Sequence, residues 1–159
     1  MNINCKAKKG TCTIKTRTAA IQLDNEIKVN DLVLPGAGEY EIADSFLEVG
    51  QGFVHIHADE VTVAYFDETR NEVTEKVLEM LENVDAVLFK VIGADKEKLE
   101  KINKMIKLID PRVVVLAGLE SAEEFKGVEG QTPEEVETLK LTQSMLPDED
   151  RLVYSIPAK

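Results

Sequence analysis

Tryptophan is absent from the chain, and histidine and cysteine occur only twice each. Two histidines cannot build a three-histidine catalytic zinc site, so carboxylates would have to complete any such ligand set. Cys5 and Cys12 form no C-x-x-C pair, which removes zinc-ribbon and thioredoxin-type chemistry. No G-x-S-x-G is present, and Cys12 lies in an alternating strand without an activating environment, so Ser- and Cys-based hydrolysis lack a nucleophile. "GAGEYE" (36–41) misses the third glycine of a dinucleotide fingerprint and leads into a strand, not a helix. No apolar run approaches the roughly 18–20 residues of a membrane span, and the first residues begin no signal peptide. The expectation is a cytoplasmic protein whose two cysteines flank one hairpin and stay reduced as small buried hydrophobes.

What is present describes an ordinary globular chain. Its 159 residues suit one domain spanning 1–159, and 43% hydrophobic with 31% charged residues argues against disorder. Nineteen basic against 30 acidic residues give a net charge of −11, which disfavours nucleic acid and anionic membranes as partners. The sign is uneven: Lys6, Lys8, Lys9, Lys15, Arg17 and Lys28 make the first thirty residues locally basic. A solvated hairpin face accounts for them better than a phosphate-facing patch.

The first 66 residues read as strands. "TCTIKT" (11–16) and "AAIQLD" (19–24) alternate with a period of two, "DLVLP" (31–35) is stopped by a proline and a glycine turn, and "YEIADSFLEV" (40–49) follows as a strand. After Asp67 the period becomes helical. Thr69 and Glu72 form a capping box for a helix through about Asn83. "DAVLFKVIG" (85–93), an Asp95-capped helix ending before Pro111, and "RVVVLAG" (112–118) predict a βαβ unit with two buried parallel strands. Ser121 and Glu124 box a short helix, and Thr132-Pro133-Glu134-Glu135 is a further helix-start signal. "TLKLT" (138–142) and "RLVYSI" (151–156) close the chain as strands.

"HIHADE" (55–60) invites comparison with the HxHxDH zinc signature, but Glu60 stands where a histidine is needed. Alternation runs unbroken from Phe53 to Phe66, which predicts a hairpin turning at Asp59-Glu60. Val54, Ile56, Ala58, Val61, Val63 and Tyr65 then share a core face, and His55 and His57 fall on the opposite one. Two histidines on one strand face can chelate a metal only with a further ligand from Asp59, Glu60 or Asp67.

A family resemblance lies elsewhere in the chain. "LPGAGEYEI" (34–42), then "TVAYFDE", "VDAVLFKVIGA", "DPRVVVLAGLE" and "LPDEDRLVYSI", stand in the order of corresponding segments in the zinc-dependent hydrolases of the metallo-β-lactamase fold, the branch related to ascorbate-6-phosphate lactonase. The opening "INCKAKKGTCTIKTRTAAIQLD" resembles that family's first hairpin strands, so the likeness spans nearly the whole chain. It implies an α+β, αββα-like fold, two packed sheets with helices outside. The connection "NEIKVNDLV" is too short for the segment that carries the family's signature ligands, so the N-terminal half is expected to be truncated. Tyr65 matches one further ligand histidine and Ala117 or Gly118 another; only Asp67 matches a ligand in kind.

The resemblance therefore implies a non-catalytic, zinc-ligand-depleted module that binds a partner or ligand, with no catalytic, cofactor or metal residues of its own. Its residual cleft would be Asp67 with Gly93 and Gly118 at the carboxyl ends of the buried strands, though glycines there also serve plain strand-to-helix turns. The alternative is a metal-dependent hydrolase with a rebuilt zinc site from His55, His57 and Asp67. Loss of covering segments also predicts a homodimer or a protein partner through the N-terminal sheet.

Overall fold

The computed structural model describes residues 1–6, 10–127 and 130–157. Five short strands open the chain: β1 (Asn2–Lys6), β2 (Thr11–Lys15), β3 (Ala20–Leu23), β4 (Ile27–Val29) and β5 (Leu32–Val33). A meander follows: β6 (Gly38–Ile42), β7 (Ser45–Gly50), β8 (Phe53–Ala58) and β9 (Val61–Phe66). Then come α1 (Glu75–Met80), β10 (Ala86–Lys90), α2 (Lys96–Ile109) and β11 (Val113–Leu119). The last strands are β12 (Glu134–Glu135), β13 (Thr138–Lys140) and β14 (Leu152–Pro157). They form a six-stranded sheet, β13-β1-β2-β3-β4-β5, and an eight-stranded sheet, β12-β14-β11-β10-β9-β8-β7-β6.

Alternation explains why the sheets stack. In β1 and β2 every second residue is buried, so Ile3, Cys5, Cys12 and Ile14 face inward while Asn2, Asn4, Thr11 and Thr13 do not. These residues meet Ile56, Val63, Leu88 and Val115 of the eight-stranded sheet in one core. Each fully buried aliphatic side chain there contributes about 1.5–3 kcal/mol relative to exposure. A second core lies on the other face of the larger sheet. Phe66, Phe89, Val114 and Leu116 pack there against Leu99, Ile102, Met105 and Ile106 of α2 and Val77 of α1. Asp95 caps α2 by accepting the Lys98 N–H at 2.8 Å, and Asp110 (φ 53°) ends it in a left-handed conformation.

The predicted βαβ unit is present: β10 pairs parallel with β11, and β11 pairs parallel with β14. The predicted hairpin of β8 and β9 turns at Asp59 (φ 51°) and Glu60 (φ 64°), and His55 and His57 share the face away from Val54 and Ile56. Among the described residues no helix is long and apolar enough to cross a membrane.

Five expectations need correction. "YEIADSFLEV" is two strands, because Ala43 (φ 50°) and Asp44 (φ 57°) make a tight turn that pairs Ile42 with Ser45. Helix α1 starts at Glu75, not near Thr69: the Thr69 hydroxyl and backbone N–H are both taken by Asp67, and Thr74 supplies the cap. Glu134-Glu135 is a strand parallel to β14, so pairing at the sheet edge overrides the helix-start signal. Cys5 and Cys12 form a disulfide, because the register of β1 and β2 places them directly opposite with Cα atoms 4.0 Å apart. Finally, both α-helices pack on the eight-stranded sheet, and among the described residues no helix covers the outer face of the six-stranded one. That face is polar (Asn2, Asn4, Lys6, Thr13, Lys15 and Gln22 line a shallow groove on it) and water serves it adequately.

Candidate functional site

The carboxyl ends of β9, β10 and β11 lie together because the three strands are parallel neighbours. Open α/β sheets commonly place ligands at such a rim. The inner face of these strands carries Tyr65 on β9, Leu88 and Lys90 on β10, and Ala117 on β11, with Asp67 just beyond β9. Three of these five are polar, all at the rim.

Asp67 is held firmly. Its backbone N–H donates to the Gly52 carbonyl at 3.1 Å, and its carboxylate accepts the Thr69 N–H at 2.9 Å and the Thr69 hydroxyl. Gly52 (φ 68°) permits this approach, since a Cβ there would lie 2.8 Å from the Asp67 carboxylate. Lys98 pins the following loop by donating to the Glu68 and Arg70 carbonyls and to Asn71 Oδ1. Burial, then the neighbouring Lys101, holds the Lys98 ammonium below the usual lysine range.

Lys90 is the residue that sequence reasoning missed. Its side chain is 10% exposed and its Nζ lies 3.2 Å from the Glu68 carboxylate. It reaches across toward the first sheet, where a Cβ on Gly10 would be 3.0 Å from Nζ. A lysine ending an apolar strand reads as an exit into water; only its parity with Ala86 and Leu88 signals that it points inward.

A cleft of about 480 Å³ opens between the sheets beside these groups. Asp24, Glu26 and Asp67 supply its carboxylates, Ile27, Leu34 and Val54 much of its apolar wall, and Tyr65 its phenol. Tyr65 is 2% exposed, and its hydroxyl makes no hydrogen bond to a described residue. Burial, then the charges of Asp67, Glu68 and Asp24, pushes the Tyr65 phenol well above its ordinary range, so it stays protonated.

The other residues singled out in the sequence lie apart from this cleft. Gly118 (φ 108°) is a close-approach position, where a Cβ would lie 3.1 Å from the Ile92 backbone nitrogen, and Gly93 (φ 66°) is exposed in the turn after β10. Neither lines the cleft with Asp67. His55 and His57 stand on the outer face of the sheet, opposite Glu48 and Phe46 of β7, whereas Asp67 lines the inner side. The structure does not bring the three together. Asp59 is likewise engaged, accepting from the Arg17 backbone and side chain and pairing with the Met1 amino group.

No protein-family model and no curated protein sequence matches the chain. Among solved structures it is similar to a proposed zinc-dependent hydrolase of the metallo-β-lactamase superfamily from Thermotoga maritima, with a TM-score of 0.69 and 14% identity. The chain has a metallo-β-lactamase-like fold. The superposition spans 98% of each chain.

Zinc, which this fold implies, does not match the residues present. Among the described residues no three His, Cys, Asp or Glu side chains converge to hold an ion. At the rim of the metallo-β-lactamase-like sandwich, one carboxylate is committed to Thr69, another is paired with a buried ammonium, and the phenol is held neutral. A lysine cation at that rim also opposes a second, divalent charge.

Proposed function

We propose that this protein is a non-catalytic binding module built on a metallo-β-lactamase-like sandwich, with the cleft beside Asp67 as its binding site. The observation that carries this reading is that Tyr65, Asp67 and the Lys90–Glu68 pair occupy the rim, where no three metal-ligating side chains converge among the described residues. Metal-assisted hydrolysis requires an ion that lowers the pKa of a bound water from ~16 to about 7, and these groups neither hold such an ion nor substitute for it. The reading also includes loss of a ligand-bearing segment relative to the ascorbate-6-phosphate lactonase branch: between β3 and β6 the chain makes only β4 and β5. The competing rebuilt zinc site would need His55, His57 and Asp67 on one side of the sheet, and they occupy opposite sides.

Elemental analysis of the purified protein tests this reading, together with hydrolysis assays on phosphoesters, lactones and β-lactams with and without chelator. Substoichiometric zinc and no chelator-sensitive turnover are expected. One or more tightly held zinc ions per chain, with turnover that a chelator abolishes, would overturn it.

A further inference from the structure

The cleft beside Asp67 has a chemical character more specific than "binding site". Among the described residues its charged lining is all of one sign, Asp24, Glu26 and Asp67, with no basic side chain. Lys90, the nearest buried cation, is paired with Glu68. Carboxylates alone prove little, because acidic residues gather on any surface of a chain with net charge −11. Tyr65 adds an independent observation. It is 98% removed from solvent, at 2% exposure, lines the cleft, and leaves its hydroxyl without a hydrogen-bond partner among the described residues. The ring is buried while the hydroxyl oxygen keeps some contact with solvent, so that oxygen is available to a ligand atom in the cleft.

Two kinds of cation could answer three carboxylates and a phenol, a hydrated metal or an organic ammonium. The walls decide between them. Ile27, Leu34, Val49, Phe53 and Val54 line much of the remainder, and these give nothing to a hydrated ion but bury a carbon chain. Asp24 already accepts from the Thr11 hydroxyl at 2.9 Å and Asp67 from Thr69, so each has acceptor capacity for a shared N–H but not a vacant coordination shell. The volume of about 480 Å³ falls within the usual range for small-molecule sites.

We infer that the cleft takes a small organic cation, a primary ammonium on a short apolar body, whose N–H groups donate to Asp67, Asp24 and the Tyr65 oxygen. This rests on the reading of the rim as a binding site and adds the class of ligand. The ammonium satisfies the open phenol and offsets the carboxylates, while its carbon chain lies on the apolar wall. Only proton positions and hydrogen bonds change on binding; no covalent step is involved.

The test is an amide chemical-shift titration of the full chain with hexylammonium chloride, with hexanol and sodium hexanoate as matched neutral and anionic probes and magnesium chloride as the metal probe. Hexylammonium is expected to shift the amides of Asn25, Gly52 and Asp67 saturably, with the other three probes at least about tenfold weaker. Tyr65→Phe, which keeps both ring and net charge, is expected to weaken binding several-fold; general attraction to an acidic protein would not register that change. Asp67→Asn is expected to lower affinity by about tenfold or more, read alongside an unfolding curve that reports whether the variant is folded. Equal binding of hexanol or hexanoate at these amides would overturn the inference of a cation while leaving the cleft as a binding site. Displacement of hexylammonium by equimolar magnesium would overturn it in favour of a metal ion. Absence of any response from all four probes would overturn the inference and count against the cleft as the site.

Discussion

His55 illustrates how a residue can look functional in sequence and act mainly through stability. Its Nδ1 is buried without a partner among the described residues, and the side chain stands between Glu48 and Ala64 on neighbouring strands. Burial, then the nearby His57, lowers its pKa below the ordinary value of 6.5. The unfolded chain therefore binds a proton at higher pH than the folded one. Above the ordinary value this has no effect; as pH falls through it toward the folded value, stability is lost. Replacing His55 with glutamine is expected to reduce the fall in denaturation midpoint between pH 7 and pH 5, measured in urea at several pH values. An unchanged pH dependence would show that His55 does not carry it. Lys90 shows the opposite case, a residue that looks incidental in sequence yet sits at the rim with its charge paired.

At the level of elements, long periodic segments were legible and short junctions were not. The β10–α2–β11 unit follows from continuous apolar runs flanking an amphipathic helix with Asp95 at its start, signals that reinforce one another. The Asp59-Glu60 turn was legible because the inward-facing apolar positions switch from even numbers up to Ala58 to odd numbers from Val61. Ala43-Asp44 carries no glycine or asparagine, so nothing local announces its left-handed turn. Thr69 offered cap chemistry that the local turn at Asp67 claimed, and the signal at Thr132 was overridden by sheet pairing. The cleft was only partly legible: Tyr65 and Asp67 came from a motif, but Asp24 meets them through the stacking of two sheets, which no local pattern encodes. The disulfide is a further case, since residue spacing allowed it and an argument from compartment set it aside. Closing a loop between residues 7 apart, it should stabilise the fold by about 2 kcal/mol through the unfolded chain. Equilibrium unfolding with and without a thiol reductant is expected to differ by that amount, and a Cys5→Ala/Cys12→Ala variant to be insensitive to the reductant. Identical curves for the unaltered protein would show that the bridge contributes nothing.

Across the whole molecule, charge and cover are distributed unevenly. Lys6, Lys15, Lys28 and Lys140 project from the outer face of the six-stranded sheet, although the chain as a whole is acidic. A polar face of this kind does not need covering, which moves the proposed self-association or protein contact of this sheet to its edge. Leu32 and Val33 on β5 are 55% and 42% exposed there, beside backbone groups that no further strand among the described residues pairs with. Leu32→Lys is expected to lower the weight-average mass measured by light scattering at high micromolar concentration. A strict monomer before the substitution would remove the proposal. The other edge of the sheet has a different consequence. There β1 pairs with β13, Asn2 opposite Lys140 and Asn4 opposite Thr138. During synthesis β1 is thus made long before its second neighbour, and the nascent chain must carry an open sheet edge until β13 has been translated.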